Sequence, residues 1–258
     1  MRFAILGSGS GGNATVVESG GRRFMVDAGL SAKQLTVRLR VLGIDPGSLD
    51  GIFLTHEHGD HVRGLKIFLK QYDVPVYATP ATARVVREMG IENGTWKIFE
   101  AGQPFRFFDA EVDPFAIQHD AVDPVGFVFH SNGKRFGLLS DAGFVTRSMM
   151  ERLRALTGLF IEANYDDALL EADVKRPWSI KQRISSRHGH LSNRQVEELL
   201  REISHPQLGR VVFGHLSSDC NQPSLVLSRF TSCLAELGHG HIGLHCACQH
   251  EPTPWFDL

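Results

Sequence analysis

Six consecutive residues, His56-Glu57-His58-Gly59-Asp60-His61, follow the apolar run Ile52-Phe53-Leu54-Thr55. No other stretch restricts the chain's options as much. Imidazole and carboxylate are ligand types that suit zinc and neighbouring transition metals. His56 and His58 alternate as neighbours in an extended segment do, so both can face one side. Gly59 permits a sharp turn, after which Asp60 and His61 can serve a second ion a few ångströms away. A solvated, histidine-rich loop is the bland reading, but a hexamer this dense rarely arises by accident on a surface.

The chain has 258 residues, 42% hydrophobic and 22% charged, which is ordinary for a globular protein. No repeat, low-complexity tract or linker divides it, so it reads as a single domain spanning 1–258. Its formal net charge is −2, so any contact with nucleic acid must come from a local patch. No apolar run approaches the ~18–20 residues of a membrane span. The start, Met1-Arg2-Phe3-Ala4-Ile5-Leu6-Gly7, has too short an apolar core for a signal peptide. The expectation is a cytoplasmic protein without a membrane partner. Cys220, Cys233, Cys246 and Cys248 crowd the C-terminus, unlike a disulfide framework, and read as thiols in a reducing compartment. Cys246-Ala247-Cys248 with His245 and His250 lacks CxxC spacing and is a weak metal candidate beside thiols on a terminal strand.

Taken in order, Phe3–Leu6 reads as a strand running into Gly7-Ser8-Gly9-Ser10-Gly11-Gly12-Asn13. Ala14-Thr15-Val16-Val17, three of them β-branched, reads as a strand and not a helix, which argues against a dinucleotide loop. Arg22–Val26 is a further strand, ending at Asp27. Ser31-Ala32-Lys33-Gln34 predicts a capping box opening a helix with Leu35, Leu39 and Leu42 inward and Gly43 as its stop. Val62, Leu65, Phe68 and Leu69 mark another helix, and Thr79-Pro80 starts a third with Val85, Val86 and Met89 inward. Strands are expected over Pro104–Phe108, Val112–Gln118, Val125–His130 and Phe136–Ser140, with a hairpin turn at Asn132-Gly133. Leu159–Asp166 is a buried strand ending in polar residues, Val211–Phe213 is another, and His241–Cys246 the last. Pro223 opens the final helix. Asp120 and Asp123 either orient substrate or ligands or simply form a turn.

Lys175–Arg187 holds five basic residues, no acidic one, and Trp178. Such a strip can neutralise phosphates and offer a stacking face, although by composition it is also a plain solvated loop. It leads into His188-Gly189-His190-Leu191-Ser192-Asn193. Ser192 caps a helix carrying Val196, Leu199, Leu200 and Ile203 on one face, which places His190 just ahead of a helix N-terminus, where anions are favoured.

The hexamer resembles the HxHxDH motif of the metallo-β-lactamase superfamily of two-metal hydrolases. That resemblance requires an isolated His, an Asp at a strand end and a late His further on, and the chain offers His119, Asp141 and His215, each after a short apolar run. It implies an α/β fold, an αββα sandwich of two mixed sheets with helices outside. It further implies that His56, His58 and His119 hold one divalent ion, Asp60, His61 and His215 a second, and that Asp141 bridges. Zinc or manganese is expected, and iron and nickel suit the same donors. Asp27 is implied to hydrogen-bond the ligand loop without touching metal, and Glu162 to support the ligands from behind. Two close ions clamp an anionic electrophile and lower the pKa of a bound water.

The glycine loop, Asp27-Ala28-Gly29-Leu30-Ser31, Glu162-Ala163-Asn164-Tyr165-Asp166 and Lys181-Gln182-Arg183-Ile184 through Gly189–Asn193 together resemble the YycJ (WalJ) group of bacterial metal-dependent exonucleases. The resemblance implies a metal-dependent phosphodiesterase, a 5′-to-3′ DNA exonuclease with a link to mismatch repair. RNA remains open as a substrate, as does the oligomeric state. On this reading Asp60 and Asp141 are catalytic through the metals and His190 assists the leaving group. Lys181, Arg183, Asn193 and Trp178 contact substrate. The interval from Asp141 to His215 is too short for a β-CASP cap, and no segment looks like an extended tRNA-gripping arm. The alternative is a small-molecule hydrolase of thioesters, lactones or cyclic phosphodiesters, which needs neither the basic strip nor His190. A non-catalytic nucleic-acid-binding module would not need the full ligand set.

Overall fold

A computed structural model describes residues 1–258. Strands β1 (Arg2–Gly7), β2 (Ala14–Ser19) and β3 (Arg22–Val26) form an antiparallel meander. Alternation divides their side chains. Phe3, Ile5, Phe24 and Val26 face one way, while Ala4, Leu6 and Met25 face the other. After β3 the chain crosses through α1 (Ala32–Val41) to the parallel strand β4 (Gly51–Phe53). The hexamer His56–His61, which overlaps the short helix α2 (Gly59–Val62), and helix α3 (Leu65–Gln71) come next. They precede β5 (Val76–Ala78), α4 (Pro80–Glu88) and β6 (Trp96–Ile98). Strands β4, β5 and β6 extend the sheet in parallel.

The second half repeats the plan. Strands β7 (Phe105–Phe107), β8 (Ala110–Ala116), β9 (Val125–Ser131) and β10 (Lys134–Leu139) are antiparallel. Asn132 and Gly133 turn β9 into β10 with φ of 50° and 73°, the mirror-image turn that suits a right-twisted hairpin. Helix α5 (Arg147–Arg152) leads to β11 (Gly158–Glu162), and α6 (Asp167–Ala172), α7 (Trp178–Ile184) and α8 (Asn193–Ile203) to β12 (Arg210–Gly214). Helix α9 (Pro223–Glu236) leads to β13 (Gly243–Cys246), and β10 to β13 pair in parallel. The last strand, β14 (Phe256–Asp257), crosses back to pair with β1.

Two seven-stranded sheets therefore face each other over an apolar layer rich in phenylalanine. Phe3 stacks on Phe136 with centroids 4.2 Å apart, Phe24 meets Phe129 at 4.7 Å, and Phe53 meets Phe127 at 5.8 Å. Helices α1, α3 and α4 cover the outer face of the first sheet, and α5, α8 and α9 that of the second. This is the αββα sandwich. No helix is long and apolar enough to cross a membrane.

Local differences from expectation have physical reasons. Ser31 caps α1 through Gln34 N, but the Gln34 side chain turns to Arg38 Nε, so only half of the box forms. The helix expected over Val62–Leu69 breaks at Gly64, where a Cβ would lie 2.0 Å from Leu30 O. In α4 the inward face is Thr82, Ala83 and Val86, and Met89 is exposed. All four cysteines are free thiols, and no cluster of potential metal donors includes one.

Candidate metal centre

The residues expected to bind metal sit where strands end. The hexamer follows β4, Asp141 follows β10 and His215 follows β12, while Glu162, expected to support the ligands from behind, is the last residue of β11. Asp27 (φ 62°), Asp141 (φ 55°) and His215 (φ 51°) all adopt the left-handed backbone. Non-glycine residues enter that region at a cost, Asp and His more readily than most, and the surroundings must hold them there. The surroundings do so here. Asp27 N donates to Phe53 O (2.8 Å), His215 N to Ser8 Oγ (2.8 Å), and His215 O accepts from Asn164 Nδ2 (2.8 Å).

Behind the hexamer, Asp27 Oδ1 accepts from Thr55 N and Oδ2 from Thr55 Oγ1, each at 2.8 Å. Oδ2 also lies 2.8 Å from His61 Nδ1, which leaves His61 Nε2 facing Asp141 Oδ2 at 2.9 Å. Asp141 Oδ1 lies 2.9 Å from His215 Nδ1 and 3.3 Å from His190 Nδ1. His58 Nδ1 and His119 Nε2 are 3.3 Å apart, and His119 Nδ1 is held by Gly189 O at 3.1 Å. Asp60 Oδ2 is 3.5 Å from His61 Nε2 and 3.7 Å from His215 Nε2. Glu162 is fully buried. Its Oε1 accepts from Ala142 N (2.7 Å) and Leu191 N (3.1 Å), and its Oε2 lies 3.1 Å from His190 Nδ1.

These donors fit metal. His56, His58 and His119 present ligand atoms within 4.8 Å of one another, as do His56, His61 and Asp141, and as do Asp141, Glu162, His190 and His215. His56 Nε2 and His215 Nε2 are buried with no hydrogen-bond partner, a state that a bound cation would relieve. Borderline N/O donors of this type take zinc, manganese, iron or nickel.

The charges reinforce one another. Burial pulls the His61 imidazole down, but the carboxylates of Asp27 and Asp141 outweigh it and hold the group well above its ordinary range. For His56, burial and the neighbouring His61 act together, and its pKa falls well below the ordinary value. Burial opposes charge on His190 as well, yet Glu162 and Asp141 push it up to about 10. Burial raises Asp141, but His215 and His61 hold its carboxyl well below the usual range.

A cavity of about 360 Å³ opens over this cluster, lined by His58, His119, Asp141, His190 and His215 together with Arg183. Of the expected substrate contacts, only Arg183 reaches it. Lys181 Nζ is bound to Glu171 O at 2.7 Å, and Trp178 is 69% exposed on α7, outside the lining. Asn193 is not a substrate contact. It is fully buried at the start of α8, where its amide exchanges hydrogen bonds with Asn221 (3.1 and 2.9 Å). Glu57, inside the hexamer, turns inward to accept from Val122 N at 2.9 Å.

Sequence reasoning passed over four supports. Asn13 Nδ2 reaches Asp60 Oδ2 and His61 Nε2, both at 3.2 Å, and Asn13 Oδ1 receives Gly9 N. Thr55 and Ser8 make the contacts given above. Gln249 braces the glycine loop through Gly11 N (2.8 Å) and Gly12 O (2.9 Å). For Asn13 a signal existed, since it is the first amide after a run of glycines. Nothing local marks Gln249.

The beta-lactamase superfamily domain matches residues 22–216. An exodeoxyribonuclease YycJ of Bacillus anthracis is 32% identical over 242 residues, covering 93% of this chain and 91% of its own. An exodeoxyribonuclease WalJ of Streptococcus pneumoniae is 34% identical over 244 residues, covering 93% and 90%. Among solved structures, the metallo-beta-lactamase fold protein YhfI of Bacillus subtilis superposes with a TM-score of 0.74 at 14% identity, covering 98% of each chain.

Proposed function

The chain belongs to the metallo-β-lactamase superfamily of metal-dependent hydrolases, and from that premise we propose that it is a phosphodiesterase acting on nucleic acid. More closely, we propose a 5′-to-3′ DNA exonuclease serving DNA repair in the cytoplasm. The similarity to two exodeoxyribonucleases along nearly the whole chain supports the substrate class. The observation that carries the reading is the make-up of one cavity, where Arg183 and His190 stand among the metal donors. A thioesterase or lactonase needs neither.

In this proposal His56, His58 and His119 hold one divalent ion, zinc or manganese. Asp60, His61 and His215 would hold the other, and Asp141 would serve both. When bound, the ions supply an activated water and neutralise charge on the phosphodiester. Asp27 orients His61 by fixing its Nδ1 proton, leaving Nε2 as the donor. His190 is held through Nδ1 by Glu162 and Asp141, and its Nε2 gives a proton to the leaving oxygen. Arg183 takes a neighbouring phosphate.

The test is digestion of 5′- and 3′-end-labelled single- and double-stranded DNA with manganese or zinc supplied, run beside Asp141→Ala. Short products released from the 5′ end, and absent with the variant, are expected. No cleavage with any metal, together with hydrolysis of a thioester or lactone, would sink the proposal.

A further inference from the structure

One ion pair spans the mouth of the catalytic cavity. Arg183, from α7, donates through Nε (2.9 Å) and Nη2 (2.5 Å) to a single oxygen, Asp120 Oδ2. Both residues line the cavity, and Asp120 Oδ1 lies 3.4 Å from His119 Nε2. Arg183 is the only lysine or arginine in the lining. Asp120 is the only carboxylate there that is not already expected to bind metal. The cation placed to meet a phosphate is thus already occupied by an anion.

The pair is built to exchange. Its side chains are 66% and 34% exposed, and exposed ion pairs are weak. Helix α7 has no buried residue. Lys181 ties it to Glu171 O, and Ile184 rests partly buried beside Tyr165, Leu170 and Cys220. The guanidinium can therefore turn from Asp120 to a ligand without unpacking a core.

We infer that Asp120 is a specificity-determining residue, a resident anion that yields Arg183 only to a substrate phosphate able to displace it. The inference rests on the nucleic-acid reading above and narrows it. A neutral lactone or thioester offers nothing to exchange for Asp120 and meets a self-neutralised mouth. An oligonucleotide brings a second phosphate beside the scissile one, and that phosphate takes the guanidinium in a bidentate grip. The substrate class is a phosphodiester carrying an adjacent phosphate.

The experiment measures binding of a short fluorescent single strand with phosphorothioate linkages to manganese-loaded protein. Wild type, Asp120→Asn, Arg183→Ala and the double variant are compared, and metal content is determined for each. Asp120→Asn should bind roughly two- to fivefold tighter, the scale of an exposed ion pair. Arg183→Ala should bind more weakly, and Asp120→Asn should give no gain once Arg183 is gone. A gain that persists without Arg183 would reduce Asp120 to general charge repulsion and overturn the inference. So would unchanged affinity, or weaker binding with lost metal. Wild-type protein that does not bind the strand removes the nucleic-acid reading and this inference together. Binding without coupling between the two residues removes only the inference.

Discussion

His190 shows how much a single side chain depends on its neighbours. Two carboxylates hold its Nδ1, and Leu191 N ties the same segment to Glu162. If it carries the leaving-group proton, His190→Ala should lower turnover about 10²–10⁴-fold with metal content and DNA affinity close to wild type. Loss of metal in that variant would make His190 a ligand, a role its grouping with Asp141, Glu162 and His215 also permits sterically. Asp27 gives a sharper case. Asn tolerates the φ of 62° that Asp27 adopts, so Asp27→Asn leaves the backbone in place. Its carbonyl must keep Thr55 N, which puts an amide NH₂ against His61 Nδ1. That reverses the imidazole tautomer and blocks Nε2. Metal affinity should fall about 10–100-fold, as read by chelator competition, and unchanged affinity would remove Asp27 from the site.

Among elements, α7 departs most from what composition suggests. Its strip contains no acidic residue, yet three carboxylates from elsewhere meet it. Lys175 pairs with Asp219, Arg176 with Asp173 and Asp219, and Arg183 with Asp120. Asp173 lies just ahead of the strip, but Asp219 and Asp120 are distant in sequence and only the fold brings them in, so the strip read as more available than it is. Arg183→Ala should flatten the salt dependence of single-strand binding, lowering the log–log slope by about 0.7. Lys181→Ala should leave the slope nearly unchanged, since its ammonium is spent on Glu171 O. Equal effects from both would restore the picture of a continuous basic face. Helix α8 was more legible, because Ser192 and Gln195 form a full capping box and Val196, Leu199, Leu200 and Ile203 share one buried face. Periodicity and caps are local properties. Asn193, at the start of that helix, was misread because its partner Asn221 is remote in sequence.

For the molecule as a whole, the two chain ends converge on the site. Arg38 is buried and donates to Leu6 O, Gln249 O and His250 O. Thr253 pairs with Ile5, and β14 closes the first sheet. Removing residues 249–258 strips partners from a buried guanidinium and frees the glycine loop that holds Asp60 through Asn13. Stability should fall by at least about 3 kcal/mol in urea unfolding, with metal affinity lowered alongside. A truncated chain with wild-type metal binding would show that the loop stands without its brace. By itself the sequence determined the dense donor hexamer His56–His61, the order of His119, Asp141 and His215 along the chain, and most strands and helices. These follow from side-chain chemistry, spacing and period, which are written locally. Only the tertiary structure decided which strand ends meet, that Asp27, Asp141 and His215 are held in the left-handed backbone, that Asn193 is spent on Asn221, and that Asp120 sits on Arg183. Each of those depends on atoms far apart in the chain that only the closed sandwich brings within hydrogen-bond range.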